Sequence, residues 1–125
     1  MTILNDLKNF LIEHSIVPPD SIAFNFDDLL QKENKLILLC NGGEFSDIAR
    51  KTMVSVIVKN FSMHNAEIII DSAFDLLCPP KQFEKPLLVN QKLMLIKPLS
   101  PPFYKEKEKN GRHVFTFNLK IVHKK

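Results

Sequence analysis

The stretch from Ser62 to Cys78 restricts the fold of this chain more than any other part of the sequence. The hydroxyl of Ser62 can cap a first helical turn, and Pro79-Pro80 ends the helix because a residue before proline avoids helical geometry. Strand-like runs lie on both sides of the stretch, so we expect the helix to pack across a sheet. The apolar residues recur at the spacing of one helix face, and they are Ala66, Ile69, Ile70, Ala73 and Leu77.

A second helix and several strands are predicted around this segment. An apolar stripe that includes Ile3, Leu7 and Phe10 predicts a helix over Thr2–Ser15. Alternation at Ile22–Phe26 is compatible with a short strand. Four longer strands are predicted at Lys35–Cys40, Thr52–Asn60, Leu87–Ile96 and Arg112–His123. The order is therefore α-β-β-α-β-β, and mainly antiparallel pairing in a single α+β domain over residues 1–125 is expected.

The strand at Thr52–Asn60 has apolar residues on both faces. Val54, Val56 and Val58 point one way, whereas the opposite face alternates Met53, Ser55, Ile57 and Lys59. A strand with a second face that is half apolar is typical of the centre of a sheet, or of a surface that a partner covers.

Two segments are predicted to be irregular. Asn41-Gly42-Gly43 predicts a turn, and Glu44–Lys51 is expected to be a loop. Lys97–Gly111 contains three prolines that cannot donate to a ladder, so a long loop without regular pairing is expected there. The segment ends in Asn110-Gly111, a strong hairpin signal because both residue types tolerate positive φ. Phe103 and Tyr104 lie in this segment with nothing local to bury them, as interface anchors often do.

Composition excludes several classes of protein. Hydrophobic residues make up 45% of the chain and charged residues 25%, as in a globular domain. The longest apolar run, Leu36–Cys40, is too short to cross a bilayer, and no secretory signal is recognisable, so a location in a reducing cytoplasm is expected. Cys40 and Cys78 lack the spacing of a zinc or redox motif and are interpreted as buried thiols.

Charge is divided unevenly along the chain. Residues 1–75 contain eleven acidic and six basic residues, a net charge of −5, whereas residues 76–125 contain three acidic and eleven basic residues, a net charge of +8. The positive half could track nucleic acid, or it could bind the negative half of a neighbouring copy. A solvated face with no partner is the third interpretation.

No constellation of catalytic, cofactor-binding or metal-ligating residues is recognisable. None of the four histidines has the setting of a triad, and Asn41–Glu44 lacks the ending of a phosphate-binding loop. Glu67, Asp71 and Asp75 repeat every four residues along one ridge of the predicted helix. We expect this ridge to face water or a basic partner rather than a metal ion. An enzyme is not expected, and neither a cofactor nor a metal is expected.

The chain resembles the tail terminators of long-tailed bacteriophages, a group often described as phage minor capsid proteins. The resemblance consists of an opening helix before Pro18-Pro19-Asp20, a strand ending in Gly42-Gly43, and the strand Val54–Lys59 leading into the helix that carries Ala66. Pro98 then precedes a segment that ends in Asn110-Gly111-Arg112 and a closing strand. Members commonly carry an acidic residue shortly before the Gly-Arg pair, and Glu106 and Glu108 are the candidates in this sequence.

The resemblance implies a structural protein of the virion with no active site. Six copies would form a ring on the last ring of the tail tube, stop tube polymerisation and offer a surface to the head connector, with DNA as passing cargo. The protein would act at the head-proximal end of the tail after assembly in the host cytoplasm, without a membrane. The residues expected at its interfaces are Phe45, Arg50, Lys51, Glu67, Asp71, Asp75, Phe103, Tyr104, Lys105, Lys107, Lys109 and Arg112.

Two alternatives remain open from the sequence. A head-closure or neck component of the virion would have a similar size and would also form a ring. A small nucleic-acid-binding module would use the basic second half of the chain, and its affinity would fall steeply with salt.

Overall fold

A computed structural model describes residues 2–18, 21–24, 34–45, 49–79, 87–89 and 92–124. The side chains of residues 2, 41–45, 49–50 and 124 lie outside this description. The elements in chain order are α1 (Thr2–Glu13), β1 (Ile22–Phe24), β2 (Lys35–Phe45), β3 (Ala49–Asn60), α2 (Met63–Leu77), β4 (Leu87–Val89), β5 (Lys92–Lys107) and β6 (His113–Lys124).

The strands form one six-stranded sheet in the order β1-β2-β3-β6-β5-β4. Only β1 is parallel to its neighbour, and the other described pairs are antiparallel. The predicted α+β class is therefore confirmed, and β3 is a central strand as expected. The alternation at Ile22–Phe26 includes the short strand β1, which adds one strand to the predicted order α-β-β-α-β-β. The single strand predicted at Leu87–Ile96 is divided between β4 and β5.

Both helices pack on the same face of the sheet and enclose the core. The N–H of Asn65 donates to the Ser62 hydroxyl over 3.2 Å, so Ser62 caps α2 as predicted. Outside the core proper, buried Asp6 of α1 accepts a 3.0 Å hydrogen bond from Lys92 Nζ of β5. The buried residues of α2 are Ala66, Ile70, Ala73 and Leu77. They share the core with Ile3, Leu4, Leu7, Phe10 and Leu11 of α1, Val54, Val56 and Val58 of β3, and Phe115, Phe117, Leu119 and Ile121 of β6.

The predicted turn at Asn41-Gly42-Gly43 is wrong. Strand β2 continues to Phe45, and the pairing register with β3 shifts between Cys40 and Gly43. A register shift of this kind is a β-bulge, for which glycine is well suited because it has no Cβ. The predicted loop at Glu44–Lys51 is also wrong over its described part, since Glu44 pairs with Lys51 and Phe45 with Arg50. The residues between them, 46–48, lie outside the described residues.

The predicted loop at Lys97–Gly111 is wrong as well. Strand β5 runs through all three prolines to Lys107 and pairs with β6 along its length, from Met94↔His123 to Lys107↔His113. The pairing register with β6 shifts three times. The shifts lie between Pro98 and Ser100, between Ser100 and Phe103, and between Tyr104 and Glu106. Proline is tolerated at such irregularities, and on a strand whose second side has no ladder partner. In the described chain β4 pairs only with residues 92–94 of β5, which leaves that side open at the prolines.

The hairpin signal at Asn110-Gly111 is confirmed. Gly111 has φ of +99°, a conformation that side chains with a Cβ rarely adopt. The N–H of Gly111 donates to the carbonyl of Glu108 over 2.9 Å, and the N–H of Glu108 donates to the carbonyl of Arg112 over 2.8 Å. This tight turn returns the chain directly from β5 into β6.

Candidate assembly surfaces

An acidic ridge lies on the solvent face of α2, as predicted. Glu67, Asp71 and Asp75 are all exposed and follow each other at one-turn intervals. Partial burial raises the pKa of the Asp71 carboxyl, and the charges of Glu67 and then Asp75 raise it further. Like charges at this spacing repel each other, so the ridge is a surface that a cationic partner would stabilise. Exposed Met63 and Ile68 lie on the same helix and add apolar area.

The end of strand β5 and the turn after it form a basic arm, which we define as Phe103–Lys109. Lys105, Lys107 and Lys109 are exposed, and Phe103 is 44% exposed. Because Phe103 pairs with Thr116 on β6, the strand holds this aromatic side chain at the surface. The structure thus brings the predicted contact residues of this segment together on an ordered strand.

Tyr104 differs from Phe103 because part of its side chain has partners within the chain. Its hydroxyl lies 3.1 Å from Nδ1 of His113, and its ring meets the ring of Phe115 edge-on with centroids 5.1 Å apart. The sequence suggested that nothing local could bury this residue, which is wrong because β6 supplies both neighbours. Its 41% exposure still leaves an accessible edge.

Arg112 is fully buried, which the sequence analysis did not anticipate. Its Nε donates to Oε1 of Glu108 over 2.9 Å, and Nζ of Lys59 donates to Oε2 of the same carboxylate over 2.7 Å. We call these three residues the charge cluster. Because the Arg112 side chain has no exposed surface in the described chain, it is not placed to contact a partner, contrary to the prediction. Through Glu108, the charge cluster links the hairpin turn to β3.

The pKa of Glu108 reflects these two partners. Burial alone would raise the pKa of its carboxyl group. The hydrogen bonds from Lys59 and Arg112, together with their positive charges, outweigh burial and hold the pKa below its usual value. This role was hard to predict, because Glu108 lies in an alternating run of lysine and glutamate and its partner Lys59 is far away along the chain. The indication that the sequence did contain was an acidic residue shortly before Gly111-Arg112.

The remaining predicted contact residues lie near the β2–β3 hairpin. Lys51 is exposed on β3, where its backbone pairs with Glu44 and with Val122. The backbones of Phe45 and Arg50 pair with each other, and their side chains lie outside the described residues. These three residues are therefore brought to one end of the sheet, and their contacts with a partner stay a prediction.

The sheet face opposite the helices is closed at parts of its central strands, whereas Leu93 and Lys97 of β5 are exposed. Ile37 of β2 is 3% exposed, and Ser55 and Thr116 are 7% and 8% exposed. A row of hydrogen bonds crosses this face, since the Ser55 hydroxyl donates to Asn118 Oδ1 over 2.5 Å and the Asn118 N–H donates to Ser100 Oγ over 3.1 Å. The half-apolar second face of β3 is therefore explained by its central position.

His14, His123 and Cys78 lie in surroundings that the chain itself provides. His14 Nδ1 lies 3.0 Å from the carbonyl oxygen of Phe10, and His123 Nε2 lies 2.9 Å from the Thr52 hydroxyl. Burial raises the pKa of Cys78 to about 12, so this thiol is not ionised at neutral pH and is a poor nucleophile. Within the described part of the chain, no three side chains of the His, Cys, Asp and Glu types are grouped to hold a metal ion. None of its helices is long and apolar enough to cross a membrane.

Comparison with solved structures gives a similar fold. A chain in the virion of a native gene transfer agent (GTA) particle superposes with a TM-score of 0.56, over 98% of this chain and 92% of that chain. The two sequences are 10% identical, so the likeness concerns the fold alone. No protein-family profile and no curated protein sequence matches this chain.

Proposed function

We propose that this protein is a structural, non-enzymatic component of a phage-like virion, and that it acts as a tail terminator. Six copies form a ring on the end of the tail tube, stop its polymerisation and provide the surface that the head connector binds. DNA passes through the ring. The observation that carries the proposal is the fold shared with a chain of a GTA virion, which extends over almost the whole of both chains.

The surfaces of the protein support assembly into a ring. A ring with rotational symmetry needs two different, complementary patches on each copy. The acidic ridge of α2 and the basic arm of β5 are such a pair, with opposite charge and different positions on the fold. Exposed Lys51, at the end of the β2–β3 pair, supplies a third position, which we assign to the tube protein or to the next subunit.

The side chains best suited to chemistry favour a structural role over an enzymatic one. His14 contacts the backbone carbonyl of Phe10, and His113 contacts the hydroxyl of Tyr104. His123 lies 2.9 Å from the hydroxyl of Thr52, but Thr52 is only 8% exposed, so a substrate has little access to that hydroxyl. Cys78 is buried and protonated at neutral pH. These positions favour a structural role, because a nucleophile needs a base within hydrogen-bond reach and access to its substrate.

Two measurements test the proposal. Light scattering on the purified protein, alone at high concentration and with purified tail-tube protein, should give the mass of a ring in at least one condition. Electron microscopy of particles made without this protein should reveal overlong tubes without heads. A protein that stays monomeric with the tube protein present, or normal tails in its absence, would contradict the proposal.

A head-closure or neck component is the second candidate, because the shared virion fold supports it equally. The two candidates differ in the partner that the ring covers. Pull-down with purified tube protein and with purified head connector should recover the tube protein if the chain is a terminator. Recovery of the connector alone favours the neck component.

A nucleic-acid-binding module is a third candidate, favoured by the +8 charge of residues 76–125 and the exposed lysines of the basic arm. It predicts DNA affinity that falls steeply as salt increases. A gel-shift assay at low salt without binding would exclude it.

A further inference from the structure

A cleft of about 600 Å³ opens where α1 and α2 end beside strand β4. It has an apolar floor and a charged rim. The floor is formed by Phe10, Leu76, Pro79, Leu87 and Leu88, and the rim by Glu13, His14 and Asp75. A cleft of this size, with apolar walls and a few charged groups, is typical of a binding site.

The electrostatics of the cleft favour a positive occupant. The C-terminal end of a helix carries a partial negative charge, and both helices end here. Neither helix has a basic residue in its last turn. Instead Glu13 is the last residue of α1 and Asp75 lies in the last turn of α2, so each adds a full negative charge to a negative helix end. This arrangement destabilises the isolated chain, and a bound cation would reverse the effect.

The basic arm has the complementary chemistry. Phe103 is an exposed apolar group that matches the apolar lining of the cleft, and exposed Lys105 and Lys107 carry the charge opposite to that of Glu13 and Asp75. An aromatic anchor surrounded by charged residues is a common core of a protein interface.

The arm and the cleft lie at opposite ends of the same molecule. Leu87 and Leu88 of the cleft pair with Met94 and Leu93, at the start of β5. The arm is at the far end of that strand, on the order of 30–40 Å away at the rise of an extended strand. A chain therefore cannot fill its own cleft with its own arm. Two complementary patches at opposite ends are the arrangement that head-to-tail contact between copies requires.

We infer that the basic arm of one copy inserts into the cleft of the next copy, with Phe103 on the apolar floor and the lysines beside Glu13 and Asp75. The inference rests on the proposed ring and specifies the contact that closes it. Only the C-terminal end of the acidic ridge takes part in this contact, because Asp75 lines the cleft and Glu67 lies about 12 Å away along the helix.

Two variants test the contact, one with an altered cleft and one with an altered arm. The cleft variant is Glu13→Lys with Asp75→Lys, and the arm variant replaces Phe103, Lys105 and Lys107 by alanine. All five residues are exposed, so the arm variant is expected to keep the thermal midpoint of the wild type. The cleft variant places positive charges at two negative helix ends, so its thermal midpoint should equal or exceed that of the wild type. Each should lower self-association measured by sedimentation velocity by at least about tenfold. The matched controls are Asn5→Lys on α1 and Lys97→Ala on β5, two exposed positions outside the predicted contact residues, and both should assemble like the wild type.

Mixing the two variants gives a result that a nonspecific charge effect would not give. The cleft variant keeps an intact arm and the arm variant keeps an intact cleft, so the mixture should form a one-to-one dimer and nothing larger. A tryptophan at position 103 reports the contact directly, since the chain contains no tryptophan. In an otherwise cleft-variant chain, Phe103→Trp should shift its emission to the blue when the arm variant is added.

The outcomes separate this inference from the proposed function. If both variants form rings as well as the wild type, the contact is wrong and the ring proposal stands. If the mixture forms no dimer although each variant has lost assembly, the contact is also wrong. If only binding to the tube protein falls, the cleft holds the tube protein and the assignment to a second copy is overturned. If the wild type forms no ring with or without tube protein, the proposed function fails, and this inference fails with it.

Discussion

The carboxylates of Glu108 and Asp71 carry the same charge in opposite surroundings. Glu108 lies between Lys59 and Arg112, and its pKa is lowered although burial acts against it. Asp71 lies on a helix surface between two other acids, and its pKa is raised. The first carboxylate has its counter-charges within the chain and stabilises the fold. The second has acids rather than bases as the charged neighbours that shift its pKa within the described chain, so a cationic partner would stabilise it.

The largest expected effect comes from removing the charge of Glu108. Glu108→Gln leaves the fully buried Arg112 without its carboxylate partner, and the loss of one member of a buried ion pair costs about 3 kcal/mol. Urea unfolding at neutral pH should measure this decrease in the free energy of unfolding. The matched control is Glu106→Gln, an exposed glutamate two residues away, which should change stability by less than about 0.5 kcal/mol. Equal effects at the two positions would contradict the distinction between a carboxylate that is paired within the chain and one that is exposed.

The second prediction concerns pH. Because the folded chain holds the pKa of Glu108 below its ordinary value of 4.5, the stabilisation is fully present above pH 4.5 and is lost as pH falls through the folded pKa. The difference in unfolding free energy between wild type and Glu108→Gln should therefore shrink as the pH is lowered from 4.5. Chemical denaturation at a series of pH values measures the difference. A gap that stays constant over this range would mean that the charge of Glu108 is not what stabilises the turn.

A smaller effect of opposite sign is expected at the acidic ridge. Asp71→Asn removes repulsion from Glu67 and Asp75 and should stabilise the isolated chain at neutral pH by at most about 0.2–0.5 kcal/mol, since these exposed charges are screened. The gain should disappear in 1 M salt, where the Debye length is about 3 Å. It should also disappear at pH below 3.8, the ordinary value for this carboxyl group, because Asp71 is then protonated in both states. Destabilisation by Asp71→Asn would show that the ridge is satisfied within the chain.

The smallest expected change is a shift in the Asp71 pKa on assembly. Lysines that dock beside Asp75 also approach Asp71, one turn away, and a nearby positive charge favours the ionised carboxylate. The raised pKa of Asp71 should therefore fall when the protein assembles. Carboxyl chemical shifts followed by NMR, in the arm variant and in its one-to-one mixture with the cleft variant, measure this change. An identical titration in both samples would place the docked lysines elsewhere.

The sequence predicted what depends on local periodicity. The stripe from Ala66 to Leu77 and the cap at Ser62 defined α2, and the alternation around Phe117 defined β6. It failed where a distant partner overrides a local rule. The prolines of β5 suggested a loop, yet pairing with β6 across the Gly111 turn keeps the segment extended.

The charged sites were harder to predict than the elements that carry them. The acidic ridge was visible because its members follow each other on one helix. Arg112 was assigned to an interface because its burial depends on the register that brings Lys59 and Glu108 together. The cleft could not be predicted at all, since Glu13, Asp75 and Leu87 come from three elements that meet only in the folded chain.

The prolines of β5 also bear on how growth of the sheet is limited. Beyond residue 94, one side of this strand has no neighbour in the described sheet, and an open strand side is a template on which further strands can add. Pro98, Pro101 and Pro102 have no N–H groups, so this stretch offers fewer donors to an incoming strand, and the lysines that follow repel a second identical strand. Edge-to-edge stacking of copies of this chain along β5 is thereby disfavoured.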